Sequence, residues 1–279
     1  MNFIYNILNS LPFEFIQYDF MKNALLAVII ITPLFALLGT MAVNNKMAFF
    51  SDALGHSAFT GIAIGILLGL GNPVLSMVAF GIFLGLVISR VKSFKTASTD
   101  TIISVFSSVS VALGIVILSK NGGFSKYSSY LIGDILIVTP QEILLMLIVL
   151  IVVYIVWVKI YNKLLLISIN SSLASSRGIN CALIENIFVV LLSISVMLSV
   201  KWIGILTINS FLILPSAAAR NIALNSKQYH FYSLAIGIIC GIVGLIISFY
   251  ADTSAGATMV LTSAVVYFIT LMFKKSVRK

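Results

Sequence analysis

The chain has 279 residues, of which 60% are hydrophobic and 9% charged, against about 45–50% and about 25% in ordinary soluble domains. Apolar runs recur from end to end, so the excess cannot be one soluble core. The net charge of +9 does not point to nucleic acid either, because the basic residues lie in short connections between apolar runs rather than clustered on one face.

Residues 1–21 carry Glu14, Asp19 and several aromatics, and the first basic residue is Lys22. A cleaved signal needs a positive stretch ahead of its apolar core, so this segment reads as an interfacial lead into the first span. Nine apolar segments follow, at about 22–43, 53–71, 73–90, 101–119, 140–160, 181–200, 203–219, 231–250 and 255–273. Spanning a bilayer takes about 20 apolar residues, and backbone groups in lipid must be satisfied within the segment, which demands helix. Two connections are very tight, Gly71-Asn72-Pro73 and Lys201-Trp202, so the count is eight or nine spans. The expected fold is an all-α polytopic bundle forming one membrane domain over 1–279.

Basic residues set the orientation. With the N-terminus outside and the C-terminus inside, the inner connections hold Lys46, Arg90, Lys92, Lys95, Lys159, Lys163, Arg177, Arg220, Lys227 and the C-terminal cluster from Lys274. Only Lys22, Lys120, Lys126 and Lys201 stay outside. Asp19, Asp134 and Asp252 then give the outer mouth an acidic character suited to a cation.

Small residues recur at helical spacing: Gly61, Gly65 and Gly69; Gly81 and Gly85; Gly237 and Gly241. Such faces let helices approach closely, within one chain or between two copies. Pro33 and Pro215 fall inside spans and each removes an intrahelical hydrogen bond. Asn209 precedes Pro215 within the same span, where an amide needs a partner. Cys181 and Cys240 are the only cysteines, in separate apolar segments, and read as small fillers rather than a thiolate site.

No GxxxxGK[ST] loop and no HExxH occurs, so ATP, if used, is bound by another chain. The sharpest polar pair is Asp52 and His56, in Ser51-Asp52-Ala53-Leu54-Gly55-His56. Spacing of four places both on one helix face, and a carboxylate with an imidazole suits manganese, iron or zinc. The competing reading is an interfacial pair with Asp52 capping the helix. His230 lies among Tyr229, Phe231 and Tyr232 and reads as interfacial. Glu142 and Glu185 read as span-end residues. Asp252 lies in a turn, either as a plain turn residue or at an outer gate. Residues 170–179 read as a short inner helix stopped by Gly178, able to dock a cytoplasmic partner or to serve as a linker.

In order along the chain, these segments resemble the ABC-3 type permeases of zinc, manganese and iron ABC importers. Gly39-Thr40-Met41 and residues 49–61, through Asp52, His56 and Gly61, resemble the N-terminal signature. Tyr130-Leu131-Ile132-Gly133-Asp134-Ile135-Leu136 is similar to its "YLFGDIL" stretch, with Ile132 where Phe is usual. Residues 173–179 resemble the coupling segment, with Ala174 and Gly178 in place and Asn170 where an acidic residue is common. Leu214-Pro215-Ser216-Ala217-Ala218-Ala219 resembles "LLIPAAxA", and Asp252 and Gly256 the last outer turn. The resemblance implies a multi-pass permease of the bacterial cytoplasmic membrane, paired with a second copy. It implies ATPase subunits inside, a metal-binding protein outside, and a transported divalent metal with no permanent cofactor. It also implies transport-path ligands at Asp52 and His56 and ATPase coupling at Ala174 and Gly178; Asp134 and Asp252 are candidates for an outer gate, and Asn209, which departs from the family pattern where a smaller residue is expected, is a candidate to line the path. Two other classes stay open: an ion-coupled secondary carrier and a membrane scaffold.

Overall fold

The computed structural model describes Tyr5, Pro12 and residues 14–94, 97–120 and 133–277. These form ten α-helices and two short 3-10 turns, with no strand among the described residues. The helices are α1 Asp19–Asn44, α2 Phe50–Leu67, α3 Pro73–Ser93, α4 Thr99–Lys120, α5 Pro140–Ile169, α6 Ser171–Ser176, α7 Cys181–Ile203, α8 Ile205–Ile222, α9 Ser226–Tyr250 and α10 Ala255–Val277. Eight of them, all but α6 and α8, are long and apolar enough to cross a membrane. Every expected apolar segment contains one long helix. The largest boundary shift is at α5, which continues to Ile169 and so places Lys159 and Lys163 within a helix.

The tight connections differ from expectation in one place. Asn72 caps α3, its side chain accepting from the Val74 amide at 3.0 Å ahead of Pro73 at the first helical position, where a missing N–H costs nothing. Lys201 and Trp202, however, lie inside α7. The break falls at Gly204, whose φ of +82° is open to glycine and strained for other residues.

The chain divides into two compact units. The first comprises 41–132 and 155–209 and is built on α2, α3, α4 and α7, with glycines where helices meet. A Cβ on Gly61 would lie 2.5 Å from the Met77 Cα, and one on Gly114 2.7 Å from the Thr60 amide nitrogen. Gly81 and Gly85 face Met197 and Ser193 of α7 in the same way. Thr60 of α2 donates its hydroxyl to the Ser110 carbonyl of α4, which locks the register of those two helices. Gly69 is not part of this face: it is a turn residue with φ +66° and open space around it.

The second unit comprises 1–40, 133–154 and 210–279. Here Gly39 meets the Leu212 carbonyl so closely that no Cβ would fit, and Gly241 meets Val28 and Thr32. Polar groups pair between helices: Ser216 with Ser233 at 3.0 Å, Asn221 with Thr270 at 3.3 Å, and Tyr229 with the Thr40 carbonyl at 3.3 Å. His230 is held at both ring nitrogens, by the Ser226 carbonyl at 2.8 Å and the Thr40 hydroxyl at 2.9 Å, so it has a tethering role. In the N-terminal segment Phe15 and Ile16 are buried, and Phe15 and Tyr18 pack on Phe249. Lys22, also buried, pairs with Asp19 at 2.8 Å. The glycine faces at Gly61, Gly65, Gly81, Gly85 and Gly241 are thus covered within this chain.

Gly61→Ala should force α2 and α3 apart and cost about 1–3 kcal/mol, the usual penalty for overpacking. Gly71→Ala, in open space, should be close to neutral. Thermal unfolding of the two purified variants in detergent checks the contrast.

Candidate functional site

The site begins at the turn between α1 and α2. Lys46 takes a positive φ of 56° and the Met47 amide bonds back to Ala42 at 2.8 Å, which reverses the chain and starts α2 at Phe50. Phe49 occupies the N-cap and offers no side-chain hydrogen bond. Asp52 is therefore not the cap: it lies in the first turn of the helix. One turn on, the His56 Nε2 lies 3.6 Å from the Asp52 Oδ1. That is too long for a hydrogen bond. It is close to the separation of roughly 3–3.5 Å between two donors each about 2.1 Å from a shared ion.

Both side chains are about one-third exposed, at 37% and 30%, because they open onto a cavity of about 600 Å³ within the first unit. One wall is α2, with Phe49, Asp52, Ala53 and His56. The other is α4, with Ser104, Ser107 and Ser108 at the same level and Val111 and Ile115 beyond them. Sequence reading passed over these serines; the signal was their spacing of three and four in an otherwise apolar span, which puts them on one helical face. Among the described residues no group of three or more His, Cys, Asp or Glu side chains could hold a metal.

Asn209 is not among the residues lining the cavity. Its carbonyl accepts a 2.6 Å hydrogen bond from Ser51, the residue before Asp52, and so ties α8 to the first turn of α2. Gly55, next to His56, leaves room for the Ile205 side chain, which a Cβ would meet at 2.8 Å.

The remaining candidates lie elsewhere. Of the 130–136 stretch, Tyr130, Leu131 and Ile132 lie outside the described residues. Gly133 has φ +63°, and the exposed Asp134 caps the 3-10 turn Ile135–Ile137 by accepting from the Leu136 amide at 2.9 Å. Asp252 is exposed in the α9–α10 turn with a φ of +50°. Glu142 is a helix-start residue, accepting from the Thr139 amide and hydroxyl at 2.9 Å. Asn170 caps α6 by accepting from the Leu173 amide at 3.0 Å, which an acidic side chain would do equally well. Ala174 is fully buried. Gly178 ends the helix with φ +74°, the Ile179 amide reaching the Ala174 carbonyl at 3.1 Å and the Gly178 amide the Ser175 carbonyl at 3.0 Å, the double bond of a Schellman stop. Cys181 and Cys240 are free thiols.

Among the described residues, the chain is thus a helical bundle with eight helices able to cross a membrane and a carboxylate–imidazole pair open to a cavity. The chain belongs to the ABC 3 transport family, whose model matches residues 17–274. It is 31% identical to the high-affinity zinc uptake system membrane protein ZnuB of Haemophilus influenzae, over 93% of this chain and 99% of that one. It is 28% identical to the manganese import system permease protein ScaB of Streptococcus parasanguinis, over 94% of each. Among solved structures it matches PsaBC from Streptococcus pneumoniae, in complex with Fab, at a TM-score of 0.79 and 25% identity, covering 97% of this chain and 95% of that one.

The Ser51–Asn209 bond anchors the turn that carries Asp52. Removing either partner should cost about 1–3 kcal/mol, as for a buried polar group left unsatisfied. Ser51→Ala and Asn209→Ala, alone and together, should show strong coupling in a double-mutant cycle followed by thermal unfolding; additive effects would mean the bond does not form in the membrane protein.

Proposed function

We propose that this chain is the membrane-spanning permease subunit of a binding-protein-dependent ABC importer of a divalent transition metal: manganese, zinc or iron. It is a multi-pass protein of the bacterial cytoplasmic membrane. The observation that carries the reading is the Asp52–His56 pair facing a cavity in the bundle. An ionisable pair inside a span is costly unless it has a task, and this one offers the mixed oxygen and nitrogen donors that first-row divalent ions accept. Membership of the ABC 3 transport family supports it, as do relatives named for zinc uptake and manganese import.

In this reading ATP is hydrolysed on separate cytoplasmic subunits, and an extracytoplasmic protein delivers the metal to the outer mouth, where Asp134 and Asp252 lend negative charge. Residues 1–279 form one permease domain, two copies of which pair around the path. The N-terminus lies outside and the C-terminus inside, as the basic connections favour. Asp52 and His56 hold the ion transiently, since an ion bound too tightly cannot leave. Asn209 acts on the path through its hold on the Asp52 turn. Helix α6, with Ala174 packed beneath it and Gly178 ending it, receives the ATPase.

Total cell manganese, zinc and iron should be measured in metal-poor medium in a strain lacking this permease and carrying wild type, Asp52→Asn or His56→Ala at matched membrane levels. Wild type should restore one metal, and each variant should lose tenfold or more of that uptake, on the scale of lost metal-site groups. If wild type restores none, the importer reading falls. Helix α6 has its own test. Gly178→Val, forced to a positive φ, should abolish uptake, whereas Gly178→Asn, which tolerates that conformation, should keep most of it.

A further inference from the structure

On the α4 wall of the cavity, Ser104 and Ser108 are exposed and Ser107 is half-buried. Hydroxyls within apolar helices normally donate to the carbonyl three or four residues back, which removes their need for another partner. Ser57, Ser76, Ser195, Ser248 and Ser263 all do so, at 2.7–2.9 Å. Ser104, Ser107 and Ser108 do not: among the described residues none of the three hydroxyls has a hydrogen-bond partner. All three line the cavity. Their level is set by the Thr60–Ser110 register bond and by the Gly114–Thr60 contact. Passing back along both helices from that level brings His56 and then Asp52 opposite residues 108 to 104.

Two protein donors cannot complete the sphere of a divalent ion. Manganese takes six oxygen-rich ligands, so an ion at Asp52 and His56 must retain water, and those waters need acceptors on the facing wall. In the cavity of about 600 Å³, the hydroxyls of Ser104, Ser107 and Ser108 line the wall that faces Asp52 and His56.

We propose that Ser104, Ser107 and Ser108 are positioning residues that hydrogen-bond the retained water shell of the transported ion, so that the path favours a divalent ion carried partly hydrated, manganese above zinc. This rests on the metal-import reading. Zinc settles readily into four-coordination and keeps fewer waters, so it depends less on the serine wall. Serine hydroxyls both donate and accept, which lets them hold water without trapping the ion as a second carboxylate would.

The test is the initial rate of radiolabelled manganese and zinc uptake into cells whose only copy of the permease is wild type, the triple variant S104A/S107A/S108A, the triple threonine variant at the same positions, or His56→Ala. The alanine triple should raise KM for manganese about tenfold, the usual size of an outer-shell loss, with a smaller change for zinc, and threonine should restore manganese uptake. Manganese uptake by the alanine triple equal to wild type, while His56→Ala has lost it, overturns the serine role and leaves the importer reading standing. Equal loss of both metals, or a loss that threonine does not restore, overturns it in favour of a packing role. If wild type takes up neither metal, the underlying reading fails and the inference with it.

Discussion

Every backbone polar group placed in hydrocarbon must find its partner inside the protein, and the architecture follows from that constraint. It makes each apolar run a helix. It sends the hydroxyls of Ser57, Ser195 and Ser248 back onto their own helices. It puts asparagines at the starts of α3, α6, α7 and α9, where Asn72, Asn170, Asn180 and Asn225 accept from free amides. It also means that helices cannot associate by hydrophobicity alone, since lipid is equally apolar, and they need close backbone approach instead. The glycines at 39, 61 and 114 provide it, each facing a neighbouring backbone that a methyl group would strike.

Against that background, the residues that resemble family motifs separate into two kinds. Gly39, Gly133 and Gly178 have backbone reasons for their identity, one a close contact and two a positive φ. Asp134 has a local one, the cap on a 3-10 turn. Asp52 and His56 have none: Asp52 makes no cap bond, and the two stand 3.6 Å apart over a cavity. A polar pair whose identity no cap, turn or close contact requires is the natural place to look for function.

The surroundings hold that pair without engaging it. The reversal at Lys46 starts α2 where Asp52 falls in the first turn. Ser51 and Asn209 fasten that turn from the residue next door, while Gly55 lets Ile205 pack beside His56. The donors stay free to meet an ion because the structural work falls on their neighbours.

The sequence alone determined the helical class, the positions of the spans and the pairing of Asp52 with His56, because each depends on local quantities: run length, hydropathy and a spacing of one helical turn. The end of α6 at Gly178 was readable for the same reason. Tertiary structure decided what depends on contacts between distant segments. It moved the α7–α8 break from Lys201-Trp202 to Gly204, because a positive φ rather than polarity makes that turn. It took Gly69 off the packing face, placed Asn209 on Ser51 rather than in the cavity, and supplied the facing wall. No spacing along the chain can bring Ser104, Ser107 and Ser108 opposite a residue fifty positions earlier; only the packing of α4 on α2 does that.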